Sequence, residues 1–168
     1  MGFPLIPQGV FRSIYHIDKR ELARQGIKLL LADLDNTLAC YGQREPDRQL
    51  YHWVQDLKEH GIQVFILSNS RKPDRVSTFA GALGVPFRGR AYKPFRRGFL
   101  AALEQMGCRA EEALMVGDQI FTDIWGANRL GIRAYLVEPL QLAGNPGRYL
   151  RYAVETPFRE LGRKRGGR

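Results

Sequence analysis

At 168 residues and 44% hydrophobic content, the chain is long enough to bury one full core and too apolar for a disordered segment. Two cysteines, Cys40 and Cys108, and three scattered histidines exclude a disulfide scaffold and a zinc site of ligand-spaced pairs, and suit a reducing, cytoplasmic setting. A net charge of +9 points to anionic partners: phosphorylated substrates, acidic lipid or nucleic acid.

The N-terminal stretch carries Phe3, Leu5, Ile6, Val10, Phe11 and Tyr15 among Arg12 and Lys19, and lacks the basic start and long apolar run of a signal peptide. Pro4 and Pro7 disfavour a regular helix, so residues 1–26 are expected to form an arm that packs on the domain or lies at a membrane interface. No stretch reaches the roughly 20 apolar residues of a membrane span. Residues 27–32 are an almost unbroken apolar run, short enough to be a buried parallel strand. The run ends in Asp33-Leu34-Asp35-Asn36-Thr37. Side chains alternate along a strand, so Asp33 and Asp35 leave its C-terminal end on the same side. Paired carboxylates at the rim of an apolar core cost free energy unless a cation offsets them. That predicts a metal site, with one carboxylate free to attack.

Leu50, Tyr51, Trp53, Val54 and Leu57 mark one face of a helix over 47–60, closed by Gly61. Residues 62–67 read as a second strand that stops at Ser68-Asn69-Ser70. A helix over 73–83 follows, with Pro73 in its first turn and Gly84 after it. Residues 85–87 form a short third strand, 94–106 a helix stopped by Gly107, and 113–116 a fourth strand ending at Gly117-Asp118. A helix over 122–130, capped by Gly131, leads to a fifth strand over 132–137. This alternation predicts an α/β protein, three layers deep, with a mostly parallel sheet covered on both faces. Residues 159–168, rich in Arg and Gly, are expected to be a basic flexible tail, leaving 27–158 as the domain.

The polar residues fall where strands end, and open parallel sheets bind ligands at that edge. Asp33 and Asp118 can give carboxylates to a divalent cation with oxygen ligands. A carboxylate beside it can attack phosphorus and become an aspartyl-phosphate. Ser68 and Asn69 offer donors, and Lys93, at the start of a helix, offers a cation aligned with the helix dipole. Each residue has a plainer reading. Asp-Asn is turn chemistry, Asp118 or Asp123 could cap a helix, and Lys93, Arg71, Lys72 and Arg75 could be a solvated basic face.

Asp33-Leu34-Asp35-Asn36-Thr37-Leu38 resembles the first motif of the haloacid dehalogenase (HAD) superfamily. Ser68-Asn69 resembles the second, Lys93-Pro94 the third, and Gly117-Asp118 through Asp123 the fourth, in matching order. Ser13-Ile14, Ile17-Asp18, Leu22 and Gly26-Ile27-Lys28 make the chain similar to the YqeG-type phosphatases of subclass IIIA, relatives of the fungal mitochondrial phosphatidylglycerophosphate phosphatase. Ser70 departs from the Asn expected in many of them. The resemblance implies a Rossmann-like HAD fold, Mg2+ as cofactor, and hydrolysis of a phosphomonoester. It implies Asp33 as nucleophile and metal ligand, and Asp35 as general acid and base with its carbonyl on the metal. Ser68, Asn69 and Lys93 are the implied phosphate ligands, and Asp118 and Asp123 complete the metal set. An Asp at position 35 separates such phosphatases from the dehalogenase branch.

Residues 39–46 are too few for a sizeable cap domain, so an open site is expected. It could serve a head group presented by an anionic membrane, with the protein peripheral to it, or be closed by a second copy in a homo-oligomer. Phosphatidylglycerophosphate is the best single substrate expectation. A small soluble ester such as a sugar phosphate or nucleotide is the alternative, and a basic RNA- or ribosome-associated protein with a vestigial site is the third reading.

Overall fold

Six strands run parallel in one sheet in the computed structural model, which describes residues 3–143 and 146–166. They are β1 (Gly9–Phe11), β2 (Leu29–Ala32), β3 (Gln63–Leu67), β4 (Phe87–Arg88), β5 (Ala113–Gly117) and β6 (Arg133–Val137), ordered β1-β6-β5-β2-β3-β4. The helices are α1 (Lys19–Arg24), α2 (Arg48–Glu59), α3 (Pro73–Leu83), α4 (Arg96–Met106), α5 (Trp125–Asn128) and α6 (Pro146–Gly166). The chain winds outward from β2 to β3 and β4, then restarts on the other side of β2 with β5 and β6. The crevice between β2 and β5 is therefore the switch point, where such sheets hold their ligands.

Alternation along the strands builds the three layers. Leu30, Ala32, Val64, Ile66, Leu114 and Val116 face α2 and α3 and pack on Val54, Leu57 and Phe79. Leu29, Leu31, Phe65, Leu67 and Met115 face the other way, toward Phe99 and Ala102 of α4 and Ala127 of α5. A strand buried on both faces has no polar side, which is why β2 reads as a continuous apolar run. The helix stops also follow the residues: Gly84 and Gly107 end α3 and α4 in the left-handed conformation, and the Asp47 side chain accepts from the Leu50 amide at the start of α2.

Both ends of the chain depart from the expectation. The N-terminal arm is not merely laid on the domain, because residues 9–11 are the edge strand, paired with Tyr135 to Val137. Asp18 caps α1 by accepting from the Arg20 and Glu21 amides. Residues 1 and 2, part of that arm, lie outside the described residues.

Where it is described, the basic tail is helical. α6 continues through residue 166, and only 167 and 168 of the expected tail lie outside the described residues. The physical reason is burial. Arg159 is 2% exposed, pairs with Glu155 at 3.3 Å and Glu138 at 3.5 Å, and donates to the Asp118 carbonyl. Phe158 meets Phe3 and Phe121 at ring distances of 6.3 and 6.1 Å, and Gly162 lets the helix approach Pro7 closely. Truncating one partner of a buried ion pair strands the other, at a cost of about 3–5 kcal/mol. Arg159→Met is accordingly expected to lower the melting temperature by several degrees, and adding Glu155→Leu to recover much of it. A thermal melt of Arg159→Met that overlays the wild type removes this account of the anchor.

Candidate active site

Asp33 follows β2 directly and keeps the ladder going, its amide donating to the Val116 carbonyl at 2.9 Å. Asp118 follows β5. Asp123 sits in a turn of π-helix over Ile120–Ile124, where a regular α-helix is expected from the sequence; widened turns of this kind recur at functional sites. The turn brings the Asp123 carboxylate back over the end of β5, where the Gln119 amide donates to its Oδ2 at 3.2 Å. Gly117 is required beneath it, since a Cβ there would run into that carboxylate.

Carboxylate oxygens of Asp33, Asp118 and Asp123 lie within 4.8 Å of one another, and all three residues are buried. Thr37 Oγ1 stands 3.5 Å from both Asp33 Oδ2 and Asp118 Oδ1. Lys93, also buried, places Nζ 2.7 Å from Asp33 Oδ1 and 2.7 Å from Asp123 Oδ1. Its hydrogen bond goes to Asp33; Asp123 Oδ1 is an ionic contact with no well-directed donor.

One lysine does not balance three buried carboxylates. Burial, then the charges of Asp33 and Asp123, hold the Asp118 carboxyl well above the ordinary carboxylate range. Burial pushes Asp123 up to about 6 against the pull of Lys93, with Asp33 adding to the rise. Burial works against the charged form of Lys93 as well, but Asp123 and Asp33 outweigh it and keep the ammonium protonated beyond its usual range. An all-oxygen donor set of three carboxylates served by a single ammonium is short of positive charge and fits a hard divalent cation such as Mg2+.

The other expected residues divide. Asp35 stands apart from the carboxylate cluster: its Oδ1 pairs with Arg75 Nη1 at 2.8 Å, so only its main chain remains as a candidate metal ligand. Burial raises the Asp35 carboxyl, Arg75 opposes that rise, and Asp33 adds to it. Ser68 Oγ accepts from the Ser70 amide at 3.0 Å, which leaves its own proton for a ligand. Asn69 lines the cavity beside Ser68 and also braces Lys93. Its Oδ1 accepts from the Lys93 amide at 2.8 Å and its Nδ2 donates to the Lys93 carbonyl at 2.9 Å, so it holds the lysine's peptide in place.

Arg75 is the clearest miss. Read from the sequence as part of a solvated face, it is 4% exposed, pairs with Asp35, and donates from Nε to the Gln43 carbonyl at 2.9 Å. Arg71 and Lys72 do stay exposed. They line a cavity of about 640 Å³ over Asp33, Asp35 and Ser68, together with Arg148 and Arg151 of α6. Nothing in the sequence singled out those two arginines, because the helix that carries them follows the last strand.

Residues 8–131 match the family model described as haloacid dehalogenase-like hydrolase. The chain is 36% identical over 135 residues to the "Probable phosphatase YqeG" of Bacillus subtilis, covering 80% of this chain and 78% of that protein. It is 31% identical over 149 residues to the chloroplastic phosphatidylglycerophosphate phosphatase 1 of Chlamydomonas reinhardtii, covering 84% of this chain. The chain spans about half the length of that relative (55%). Among solved structures, the putative 3-deoxy-D-manno-octulosonate 8-phosphate phosphatase of Vibrio cholerae superposes with a TM-score of 0.56 at 18% identity. The superposition covers 88% of this chain and 90% of that one, and it shows a shared fold. With a family match over most of its length and a phosphatase relative sharing more than a third of the aligned residues, the chain belongs to the haloacid dehalogenase-like hydrolases, among the phosphatases of YqeG type.

Proposed function

We propose that this enzyme is a magnesium-dependent phosphomonoesterase that works through an aspartyl-phosphate on Asp33, with phosphatidylglycerophosphate as its substrate. The carrying observation is the convergence of the buried Asp33, Asp118 and Asp123 carboxylates with Lys93, of which Asp33 opens onto the polar cavity shared by Asp35 and Ser68. Asp33 attacks phosphorus, and Asp35, on the same cavity with a raised pKa, donates a proton to the departing alkoxide. Asp35 then takes a proton from water, whose oxygen attacks phosphorus, breaks its bond to the Asp33 carboxylate and releases inorganic phosphate. Lys93 and Ser68 steady the phosphoryl oxygens, and Asn69 keeps Lys93 aimed. Mg2+, held by Asp33, Asp118 and Asp123, would offset the charge of the transferring group.

Two features support a lipid-borne ester. The first is the likeness to phosphatidylglycerophosphate phosphatases of Chlamydomonas and of Arabidopsis. The second is α6, whose outer side is apolar: Tyr149, Leu150, Val154 and Leu161 are exposed, and Arg163, Lys164 and Arg165 follow. Apolar residues beside a basic end suit the surface of an anionic bilayer. The N-terminal apolar residues suit it less, since Phe3 packs on Phe158 and Phe11 on Tyr135.

The test is release of inorganic phosphate from phosphatidylglycerophosphate in anionic vesicles, beside a panel of sugar phosphates and nucleotides, with Mg2+ and with a chelator. Metal-dependent release from the lipid ester is expected. Turnover of soluble esters alone overturns the lipid substrate. Silence on every ester, with salt-sensitive RNA binding unaffected by Asp33→Asn, makes the protein a binding module instead.

A further inference from the structure

The cavity over Asp33 holds more positive charge than one phosphoryl group requires. Lys93 and a dication match the charge of Asp33, Asp118 and Asp123, and Arg75 matches Asp35. Four further cations line the same cavity: Arg71 and Lys72 from the loop after β3, and Arg148 and Arg151 from the start of α6. Among the described residues none of these four forms an ion pair, whereas Arg75, Arg159 and Arg163 all do. Arg148 is half-buried and its guanidinium stacks 4.8 Å from the centre of the Tyr41 ring, which holds it in one place. Arg148 and Arg151 are three apart on one helix and so share a face. Arg151 feels the Asp118 and Glu155 carboxylates at longer range, but gathering four cations outside any salt bridge still costs free energy through their mutual repulsion unless an anion is shared among them.

We propose that Arg148 and Arg151, with Arg71 and Lys72, form a subsite for a second anionic group of the substrate. The group is a phosphodiester or second phosphate carried on the leaving-group side of the ester. The subsite makes the enzyme select esters with two phosphorus centres over simple monoesters. Two guanidinium forks suit it, because Arg binds phosphate oxygens in pairs where Lys acts as a point charge. This rests on the phosphatase reading and adds to it the residues that discriminate among substrates. It also gives α6 a role: the wall that chooses the substrate is a helix after the last strand.

Glycerol 3-phosphate and glycerophosphoglycerol phosphate are the probes. The second carries the same terminal ester, a phosphodiester as well, and no acyl chain. The wild type is expected to favour it by about tenfold or more in kcat/KM, the scale of one or two charged hydrogen bonds. Arg148→Gln/Arg151→Gln is expected to bring that ratio to within about twofold of unity, and Arg71→Gln/Lys72→Gln, on a separate loop, to lower it too. A wild type without preference overturns the subsite, as does a ratio unmoved in both double variants. A preference seen only with phosphatidylglycerophosphate in vesicles also overturns it, since surface attraction then accounts for the choice. Calorimetric binding of both probes to Asp33→Asn gives a readout without turnover. If no ester is hydrolysed but the binding preference exists and depends on Arg148 and Arg151, the phosphatase reading fails and the subsite stands.

Discussion

Asp33→Asn is expected to lower kcat for phosphate release by about a thousandfold or more, in a protein that stays folded. An amide cannot serve as the attacking group, and no other carboxylate takes its place: Asp118 and Asp123 are more deeply buried, and Asp35 is engaged by Arg75. The fold should tolerate the change. The Asn oxygen can still accept from Lys93, while one of three crowded negative charges is gone, and Asp33 contributes to the raised carboxyls of both Asp118 and Asp123. In chelator the variant should therefore melt no lower than the wild type. Phosphate release at a saturating ester and a thermal melt check both halves. A kcat within tenfold of wild type would mean that phosphorus is attacked by something other than Asp33.

The residues that were legible in the sequence share a physical trait: their role is written in their immediate neighbours. A strand buried on both faces must be apolar throughout, so β2, β3 and β5 declare themselves, and the polar residue that ends each run is forced to the sheet edge. Asp33, Ser68 and Asp118 were found in that way. Arg75, Arg148 and Arg159 were not, because burial of an arginine depends on a partner far away in the chain. Arg75 finds Asp35 forty positions back, and Arg159 finds the Asp118 carbonyl forty-one back. A solvated and a buried arginine look the same in one dimension.

The helix α6 was hidden for a related reason. Its inward side carries Arg151, Glu155 and Arg159, and its outward side Leu150, Val154 and Leu161, the reverse of the usual amphipathic pattern. Charge content then reads as disorder, although the charges are what anchor it. β1 is a three-residue strand with no period of its own, held by pairing with β6 more than a hundred positions later. Asn69 shows a subtler limit: its residue type suits a phosphate donor, while its hold on the Lys93 peptide is visible only once the fold brings the two alongside.

Lys93→Met is expected to separate the lysine's part in stability from its part in chemistry, with Asp118→Asn as the opposing control. Lys93 is the only cation in ion-pair contact with Asp33 and Asp123 among the described residues. Its loss leaves three buried carboxylates facing each other, a defect of about 3–5 kcal/mol in chelator. The same loss removes an ammonium that competes for the carboxylates, so the dication should bind more tightly. Stabilisation by a ligand grows with the ratio of its concentration to Kd. At a fixed Mg2+ concentration the rise in Tm should then be larger in Lys93→Met than in the wild type, even as turnover falls. Asp118→Asn should do the reverse, with a higher Tm in chelator, because a carboxyl held up by its neighbours' charge is now neutral, and a smaller rise with Mg2+. Melts of the three proteins with and without Mg2+ read both effects at once. An equal Mg2+ shift in all three would place the cation away from Asp118 and Lys93, and the charge balance inferred for this site would not hold.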